Sequence, residues 1–351
     1  MTIRPLAFAI MAVAISLVTF SANANDPKPL FASEDIINIE IRAPFKTLIR
    51  QSRKSKDPFD AQLVLDGAIP ETHDIILSPR GKSRRREELC NFPPLRVTFP
   101  EKPDAASLFK GQKGVKLVTH CKKSISYQQY YLLEYTGYKL LNELTPMSHK
   151  VRLAKVHYVE SETGKTIITR HGFFIEDTDD VAKRNGVKEI DVEDINVDQL
   201  NRTAAARHGL FQYMIGNLDW SMHNGPDGDD CCHNTKLIGD RAEPMTNLVP
   251  VAYDFDYSGL VDAPYAAPPA SVNIESVRKR RYRGFCRHDD VLQNEISHFR
   301  AKKTALLAVV DNISPMEKRT RSQAKKYIEG FYKSIATDKK IKWNLESFCR
   351  N

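Results

Sequence analysis

The chain of 351 residues lacks a second long apolar run after its N-terminus, which excludes a protein with several membrane-spanning helices. It also lacks any repeat of fixed period, so we expect no solenoid. Its composition excludes a disordered chain, a collagen and a coiled coil, because 41% of the residues are apolar and 27% are charged. Such a chain buries a sizeable core, and its length predicts about two domains or one large bilobal unit.

The single apolar run lies at the N-terminus and is typical of a secretory signal peptide. Arg4 provides the positive start, the segment from Leu6 to Phe20 is almost entirely apolar, and Ala22-Asn23-Ala24 fits a cleavage site. A membrane anchor is the alternative, but about 15 apolar residues are fewer than the roughly 20 that span a bilayer. We therefore predict a signal peptide at residues 1–24 and an exported mature chain, periplasmic or secreted, that begins near Asn25.

No C-x-x-C pair occurs among the six cysteines, which weakens the case for a zinc site. An even number of cysteines in an exported chain favours disulfides. Zinc is the alternative, although two adjacent cysteines make a poor tetrahedral clamp. The six are Cys90, Cys121, Cys231, Cys232, Cys286 and Cys349.

The flanking strands predict one of these disulfides. Cys90 lies just before a predicted strand and Cys121 just after the next one, so two antiparallel neighbours would bring them together. We therefore predict a disulfide between Cys90 and Cys121. Cys286 and Cys349 are predicted to pair with the two cysteines at positions 231 and 232, in an order that stays open.

No nucleic-acid-binding motif accompanies the net charge of +8, so we expect no nucleic-acid partner. The charge is concentrated in two basic runs, Arg84-Arg85-Arg86 and Arg278-Lys279-Arg280-Arg281-Tyr282-Arg283. Such runs can bind phosphate or an anionic surface, and the second run is the candidate for an anionic surface. More often they form solvated faces, which is what we expect here.

The first half of the chain alternates between apolar and polar residues, which predicts mostly antiparallel β-structure. One helix interrupts it, from about Tyr127 to Leu144, because apolar residues recur there at helical spacing. The predicted strands are Ile36–Ile41, Ala61–Leu65, His73–Leu77, Leu95–Phe99, Val115–Thr119, Val151–Val159 and Thr166–Ile175.

The second half is predicted to be mainly helical. The predicted helices run from a cap at Asp198 to Ile215, near Ser297–Val310 and near Pro315–Ala336, with two strands, Thr235–Ile238 and Leu248–Tyr253. The boundary falls in the polar stretch Asp177–Asn196. This order predicts an α+β protein with a β-rich lobe at residues 25–177 and a helical lobe at residues 178–351.

The densest polar cluster follows the helix that ends near Ile215. Asp219 lies on the loop after that helix, an asparagine directly precedes a strand, and Asp254-Phe255-Asp256 ends the next strand. Phosphoryl transfer needs a carboxylate to accept the hydroxyl proton, and hard oxygen ligands to hold Mg²⁺ on the phosphates. The cluster therefore predicts a phosphotransferase site.

These residues resemble the CotH family of atypical protein kinases. The resemblance spans roughly residues 36–260 and consists of short motifs. They are Asp219 with the following asparagine, Asp254-Phe255-Asp256, Arg80-Gly81-x-Ser83, Glu134-x-x-x-Tyr138-x-Leu140-Leu141 and Phe174-Ile175-Glu176. The resemblance implies a two-lobed, protein-kinase-like fold, an exported protein and phosphate transfer from ATP.

The resemblance also implies a role for each site residue. Lys116 would hold the α- and β-phosphates of ATP, Glu134 would pair with Lys116, and Glu176 would lie beside the adenine. Asp219 would act as the base, and Asp254 would bind the metal.

Two features depart from the family pattern. No G-x-G-x-x-G loop precedes Lys116, and Lys113 and Lys122 are alternatives to it. The metal-binding asparagine is either Asn224, which has the usual spacing from the base, or Asn234, which directly precedes a strand. The strand context favours Asn234.

Three functions follow from these residues. The first is an exported kinase-like enzyme that uses ATP with Mg²⁺ or Mn²⁺ and phosphorylates a protein or other hydroxyl acceptor, although adenylyl transfer and glutamylation share such sites. The second is an inactive pseudokinase that acts as an envelope or surface interaction module. The third is a metal-dependent hydrolase built from His223, Asp227, His233 and Asp254.

Overall fold

The computed structural model describes residues 26–67, 70–226 and 230–350. The predicted signal peptide at residues 1–24 lies outside these residues, as does Asp227. Within the described residues, seven strands form a closed barrel, three more form a separate sheet, and eight α-helices surround them.

The barrel contains all seven strands predicted for the first half of the chain. Alternation places Ile37, Ile39 and Ile41 inside, because successive side chains of a strand point to opposite faces. A short helix, α1 (Phe45–Gln51), follows the first strand. The strands are β1 (Ile37–Ala43), β2 (Phe59–Asp66), β3 (Glu71–Pro79), β4 (Leu95–Thr98), β5 (Gly114–Val118), β6 (Val151–Glu160) and β7 (Thr166–Ile175).

The closed barrel shows that the predicted two-lobed, protein-kinase-like fold is wrong. Around the barrel the order is β1-β2-β3-β4-β5-β7-β6, and β6 returns to pair with β1. This last pairing is parallel and runs from Ile37 opposite Ala154 to Ala43 opposite Glu160. Alternation along a strand reveals which face is buried but not which strand lies beside it. No local sequence pattern therefore indicated that the strands close into a barrel.

One hydrophobic core joins the barrel to the rest of the chain. Helix α2 (Gln128–Leu144) connects β5 to β6, and its apolar face packs in the same core as the C-terminal helices. Gly137 on this helix faces Phe255, where a Cβ atom would lie only 2.9 Å from the aromatic ring. This close approach fixes α2 against the segment that carries Asp254.

The polar stretch at residues 177–196 contains regular structure that the sequence pattern did not predict. Helix α3 (Thr178–Arg184) begins at Asp177, whose carboxylate accepts a hydrogen bond from the Thr178 amide at 3.0 Å. Strand β8 (Lys188–Ile190) then joins β9 (Thr235–Gly239) and β10 (Val249–Ala252) in an antiparallel sheet with the order β10-β9-β8.

The predicted C-terminal helices are shorter and more numerous than expected. Asn201, not Asp198, caps the helix α4, and its side chain accepts a hydrogen bond from the Ala204 amide. Gly216 ends that helix at φ +67°, a left-handed conformation that glycine adopts without strain. The helices are α4 (Arg202–Ile215), α5 (Asp289–Ala301), α6 (Lys303–Asp311), α7 (Lys318–Ser334) and α8 (Asp338–Asn344).

The disulfide between Cys90 and Cys121 is confirmed, with 4.6 Å between the Cα atoms. The other predicted pairing is wrong, because Cys286 bonds to Cys349, and the adjacent cysteines at 231 and 232 bond to each other. The C-terminal segment runs beside residues 284–286, and the Arg350 amide donates to the Gly284 carbonyl at 2.7 Å. This contact brings Cys349 to Cys286.

Disulfides are compatible with an exported protein. Among the described residues, no helix combines the length and the apolar character needed to cross a membrane.

Candidate functional site

The small sheet brings two of the predicted site residues together. Asn234 directly precedes β9 and Asp254 follows β10, and these antiparallel strands pair Thr235 with Ala252. The Tyr253 amide donates to the Asn234 carbonyl at 3.1 Å, so the pairing extends one residue beyond the strands. Asn234 and Asp254 therefore lie at the same end of the sheet.

Asp219 reaches the same place from the loop after α4. The Nδ2 atom of Asn234 donates to the Asp219 carbonyl at 2.7 Å and to its Oδ2 at 3.1 Å. His233 Nε2 lies 2.7 Å from Asp219 Oδ1. This hydrogen bond raises the pKa of His233 above its ordinary value, against the effect of burial. The loop therefore holds the Asp219 carboxylate from two sides.

The geometry favours Asn234 over Asn224 as the site asparagine. Asn224 accepts a hydrogen bond from the Ser221 hydroxyl, and its carbonyl accepts from the His233 amide at 3.2 Å. Asn224 thus supports the loop, whereas Asn234 contacts Asp219 directly.

The two aspartates around Phe255 have different environments. The side chain of Asp254 is 46% exposed, and its backbone amide donates to the Tyr138 hydroxyl at 2.9 Å. Asp256 is 6% exposed and accepts a hydrogen bond from the Tyr265 hydroxyl at 2.9 Å. Burial raises the pKa of Asp256, and the nearby charge of Asp254 raises it further. Asp254 is therefore the carboxylate available to a ligand.

Glu134 pairs with Arg84, not with Lys116 as predicted. The Nη2 atom of Arg84 lies 3.1 and 2.9 Å from the two Glu134 oxygens, and its Nε lies 3.3 Å from Asp256 Oδ2. Burial raises the pKa of Glu134, while the charge of Arg84 opposes that rise. The prediction that this basic run forms a solvated face is also wrong at Arg84, because Arg84 is only 7% exposed.

Lys116 lies on β5 among other charged groups. Its Nζ is 5.6 Å from the centroid of the Tyr253 ring. Burial lowers the pKa of Lys116, and the charge of Arg80 lowers it further. The acidic neighbour of Lys116 is Asp177. The charges of Lys116 and Arg96 hold the pKa of Asp177 below its ordinary value, although burial opposes this effect.

Arg80 is a site residue to which sequence reasoning assigned no role, although it belongs to the quoted motif. Its Nε is buried without a hydrogen-bond partner. Burial lowers the pKa of Arg80, and Asp254 is the acid that most opposes this effect. In the part of the chain that the structure describes, neither Arg80 nor Lys116 forms an ion pair. Arg80 therefore lies near Asp254, Lys116 lies beside Arg80, and neither cation has a carboxylate within ion-pair distance among the described residues.

Both carboxylate oxygens of Glu176 already accept hydrogen bonds from the protein. Arg184 donates to both carboxylate oxygens, at 3.0 and 3.1 Å, and the Lys150 amide donates to Oε2 at 2.8 Å. The backbone carbonyl of Glu176 faces His149 Nδ1 at 2.9 Å. These contacts join β6 and β7 to α3, so Glu176 holds the fold together beside the site.

The alternatives for the phosphate-binding lysine lie elsewhere. Lys113 is exposed, and Lys122 donates to the Glu88 carbonyl at 3.5 Å.

The residues of the hydrolase hypothesis have separate surroundings. His223 packs against Phe285 with 5.6 Å between the ring centroids, while His233 contacts Asp219. Within residues 26–67, 70–226 and 230–350, no group of three or more His, Cys, Asp or Glu side chains could hold a metal ion.

The residues present fit a nucleoside triphosphate with Mg²⁺. Mg²⁺ in such complexes needs only one or two protein oxygens, because phosphates and water supply the rest, and Asp254 with Asn234 can provide them. The buried, unpartnered Arg80 Nε and the unpaired Lys116 suit phosphate oxygens.

No protein-family model matches the chain, and no curated protein matches it. The resemblance to the CotH family thus stays a prediction.

Proposed function

We propose that this protein transfers a phosphoryl group from ATP, bound with Mg²⁺ or Mn²⁺, to a hydroxyl acceptor. One observation carries the proposal: Asp219, Asn234 and Asp254 converge, Asp254 is the acid that most affects Arg80, and Lys116 lies beside Arg80. Phosphoryl transfer depends mainly on positioning and electrostatic stabilisation, and this cluster has the parts for both. The site, and not the fold, supports this activity, because a fold does not determine a reaction.

Asp219 is the proposed base. Its carboxylate accepts the proton of the acceptor hydroxyl, and the contacts from His233 and Asn234 fix its orientation. Because the pKa of His233 is raised, its cationic form persists to higher pH than in a free histidine. His233 is therefore a positioning residue that stabilises the negative charge of Asp219.

Asp254 and Asn234 are the proposed metal ligands. When bound, Mg²⁺ neutralises charge on the transferred phosphoryl group. Lys116 and Arg80 donate to the phosphate oxygens, and their partial burial strengthens these contacts because the local dielectric is low. Arg84 fixes α2 and the segment around Asp254 through its ion pairs with Glu134 and Asp256.

The proposed activity is tested with purified mature protein. We expect ATP to raise the melting temperature in the presence of Mg²⁺ or Mn²⁺ but not with EDTA, and labelled phosphate to pass from γ-labelled ATP to protein or to an added hydroxyl acceptor. A melting temperature that ATP leaves unchanged with either metal would contradict the proposal. Label that is carried over from α-labelled ATP would instead indicate adenylyl transfer.

An inactive interaction module is the second candidate, and the contacts of Gly111, before β5, and of Gly114, the first residue of β5, favour it. At Gly111 a Cβ atom would meet the Lys28 side chain at 3.5 Å, and at Gly114 it would meet the Arg96 side chain at 3.1 Å. Both glycines thus pack against the protein's own side chains. Absence of ATP binding with both metals would favour this candidate.

We also propose that the chain is exported after cleavage behind Ala24. The apolar N-terminal run and the disulfides support this proposal. The intact mass of protein from the extracytoplasmic fraction should correspond to a chain that starts at Asn25. A full-length species retained in the membrane would contradict it.

A further inference from the structure

Two arginines pack against Trp220, the residue that follows Asp219. The Cζ atoms of Arg283 and Arg350 lie 5.6 and 5.3 Å from the centroid of the Trp220 ring. Arg350 also lies 4.9 Å from the centroid of Phe285. Aromatic faces attract guanidinium groups and hold their planes in a fixed orientation. The two positive side chains therefore meet at one tryptophan beside the proposed base.

Backbone contacts fix both arginines in place. Arg283 Nη1 donates to the Leu218 carbonyl, and Arg350 Nε donates to the Arg283 carbonyl at 2.8 Å. The Cys286 amide donates to the Arg350 carbonyl at 2.9 Å, and the disulfide between Cys286 and Cys349 joins the two segments covalently. Both guanidinium groups are thus held beside Trp220 by the fold.

The charge of this pair is only partly compensated. Among the described residues, neither Arg283 nor Arg350 forms an ion pair, and Arg350 Nη2 is buried without a hydrogen-bond partner. Burial and the charge of Arg283 together lower the pKa of Arg350 to about 10. The acid that acts on Arg283 is Asp219, which His233 and Asn234 already bind. An oxyanion in contact with both arginines would satisfy the free donor and reduce their repulsion.

We propose that Arg283 and Arg350 form a subsite for an oxyanion, a phosphate or a carboxylate. For the proposed transferase, this subsite binds an anionic group of the acceptor close to the hydroxyl that Asp219 deprotonates. This second part rests on the proposed function, whereas anion binding at Trp220 does not. The acceptor is then an acidic molecule rather than a neutral one.

The two tryptophans of the chain offer a direct measurement. Trp343 is 72% exposed, so Trp343→Phe leaves Trp220 as the only tryptophan reporter. In this background, inorganic phosphate and acetate are titrated separately at constant ionic strength, without nucleotide. We expect a saturable change in Trp220 emission, with the arm that saturates first identifying the preferred oxyanion.

Substitutions assign the response to the subsite. Arg283→Met and Arg350→Met should each weaken the apparent affinity by about tenfold or more, because each removes charge-assisted hydrogen bonds. Arg281→Met is the matched control, since Arg281 belongs to the same basic run but lies 4.0 Å from the Phe348 ring. Arg80→Met tests binding at the nucleotide cluster. Arg281→Met should respond like the parent, and a loss confined to Arg80→Met would place the response at the nucleotide cluster.

Three results would overturn the proposal. They are an unchanged emission with both anions, equal affinities in the parent and the two Arg-to-Met variants, and a response that only Arg80→Met abolishes. If a methionine variant fails to fold, Arg283→Lys keeps the charge but loses the planar donor pair, and we expect its affinity to be reduced. Because the titration contains no nucleotide, failure of the transferase proposal and failure of the oxyanion subsite give different results.

Discussion

Two neighbouring polar clusters differ in how far their charged side chains are buried and paired. In the closed cluster, formed by Arg84, Glu134 and Asp256, each charge is buried and has a partner within 3.3 Å. In the open cluster, which contains Asp219, Asn234 and Asp254, the carboxylates are 31% and 46% exposed. A buried charge destabilises the fold unless a partner compensates it, whereas an exposed charge can exchange its bound water for a ligand. We therefore propose a structural role for the first cluster and ligand binding for the second.

The largest expected effect is the loss of ligand binding in Asp254→Asn. A neutral amide cannot match the charge of a carboxylate on a hard cation, so Mg²⁺-dependent ATP binding should disappear. The free energy of unfolding should change little, because Asp254 is 46% exposed. Calorimetric titration of ATP with and without Mg²⁺ checks the binding.

Asp256→Asn is the matched control, two residues away and in the closed cluster. It should reduce the free energy of unfolding, because it weakens the buried contact with Arg84. Equal effects of the two substitutions on binding and on stability would remove the distinction between the clusters.

The second effect concerns turnover. Asp219→Asn should leave ATP binding nearly intact but reduce the rate of phosphoryl transfer by about 10²–10⁴-fold, the usual contribution of a positioned acid–base group. Single-turnover measurements with γ-labelled ATP separate the two quantities. If Asp219→Asn transfers phosphate at the wild-type rate, Asp219 is not the base.

The third effect concerns stability and the closed cluster. Arg84→Met leaves two buried carboxylates without their cation, which should lower the free energy of unfolding by about 3–5 kcal/mol. Arg86→Met is the control from the same run, since Arg86 is 57% exposed and its contact with Glu88 is 3.6 Å long. It should cost less than about 1 kcal/mol. Urea unfolding measures both, and similar costs would contradict burial of Arg84.

The smallest effect is a pH dependence in the open cluster. The pKa of His233 is raised in the folded protein, so its contribution is fully present below pH 6.5, the ordinary value, and is lost as the pH rises through the folded pKa. Because His233 is 36% exposed, solvent screens the pair, and the contribution should be below about 1 kcal/mol.

His233→Gln measures this contribution. The difference in melting temperature between wild type and His233→Gln should be larger at pH 6 than at pH 9. His157→Gln provides the control, because His157 contacts the Thr169 hydroxyl and no acid. A difference that is independent of pH would show that the contact between His233 and Asp219 carries no charge.

Sequence reasoning located the open cluster better than the closed one. Asp219 and Asp254 stand next to predicted elements, and the pairing of β9 with β10 follows from two nearby apolar segments, so local pattern placed both residues. Arg84 is the first of three consecutive arginines, and nothing in that run distinguishes this buried position from exposed Arg86. Only the turn at Ser83–Arg85 directs Arg84 inward.

The same limit explains the errors in the fold. Every barrel strand was predicted from its alternation, yet the closure depends on β1 pairing with β6 across more than a hundred residues. The disulfide between Cys90 and Cys121 follows two adjacent strands, so it was predictable. The disulfide between Cys286 and Cys349 depends on where the C-terminal segment lies, which a local pattern does not contain.

The closed barrel also affects how the protein behaves at high concentration. Exposed strand edges can recruit strands from other molecules and start aggregation, but a closed ring of seven strands offers no such edge. The described edges of the small sheet are β8, only three residues long, and β10, which contains Pro250. Proline has no amide hydrogen to donate, and short strands pair weakly, so neither edge is a good template. The folded protein should therefore resist edge-to-edge aggregation without help from a partner.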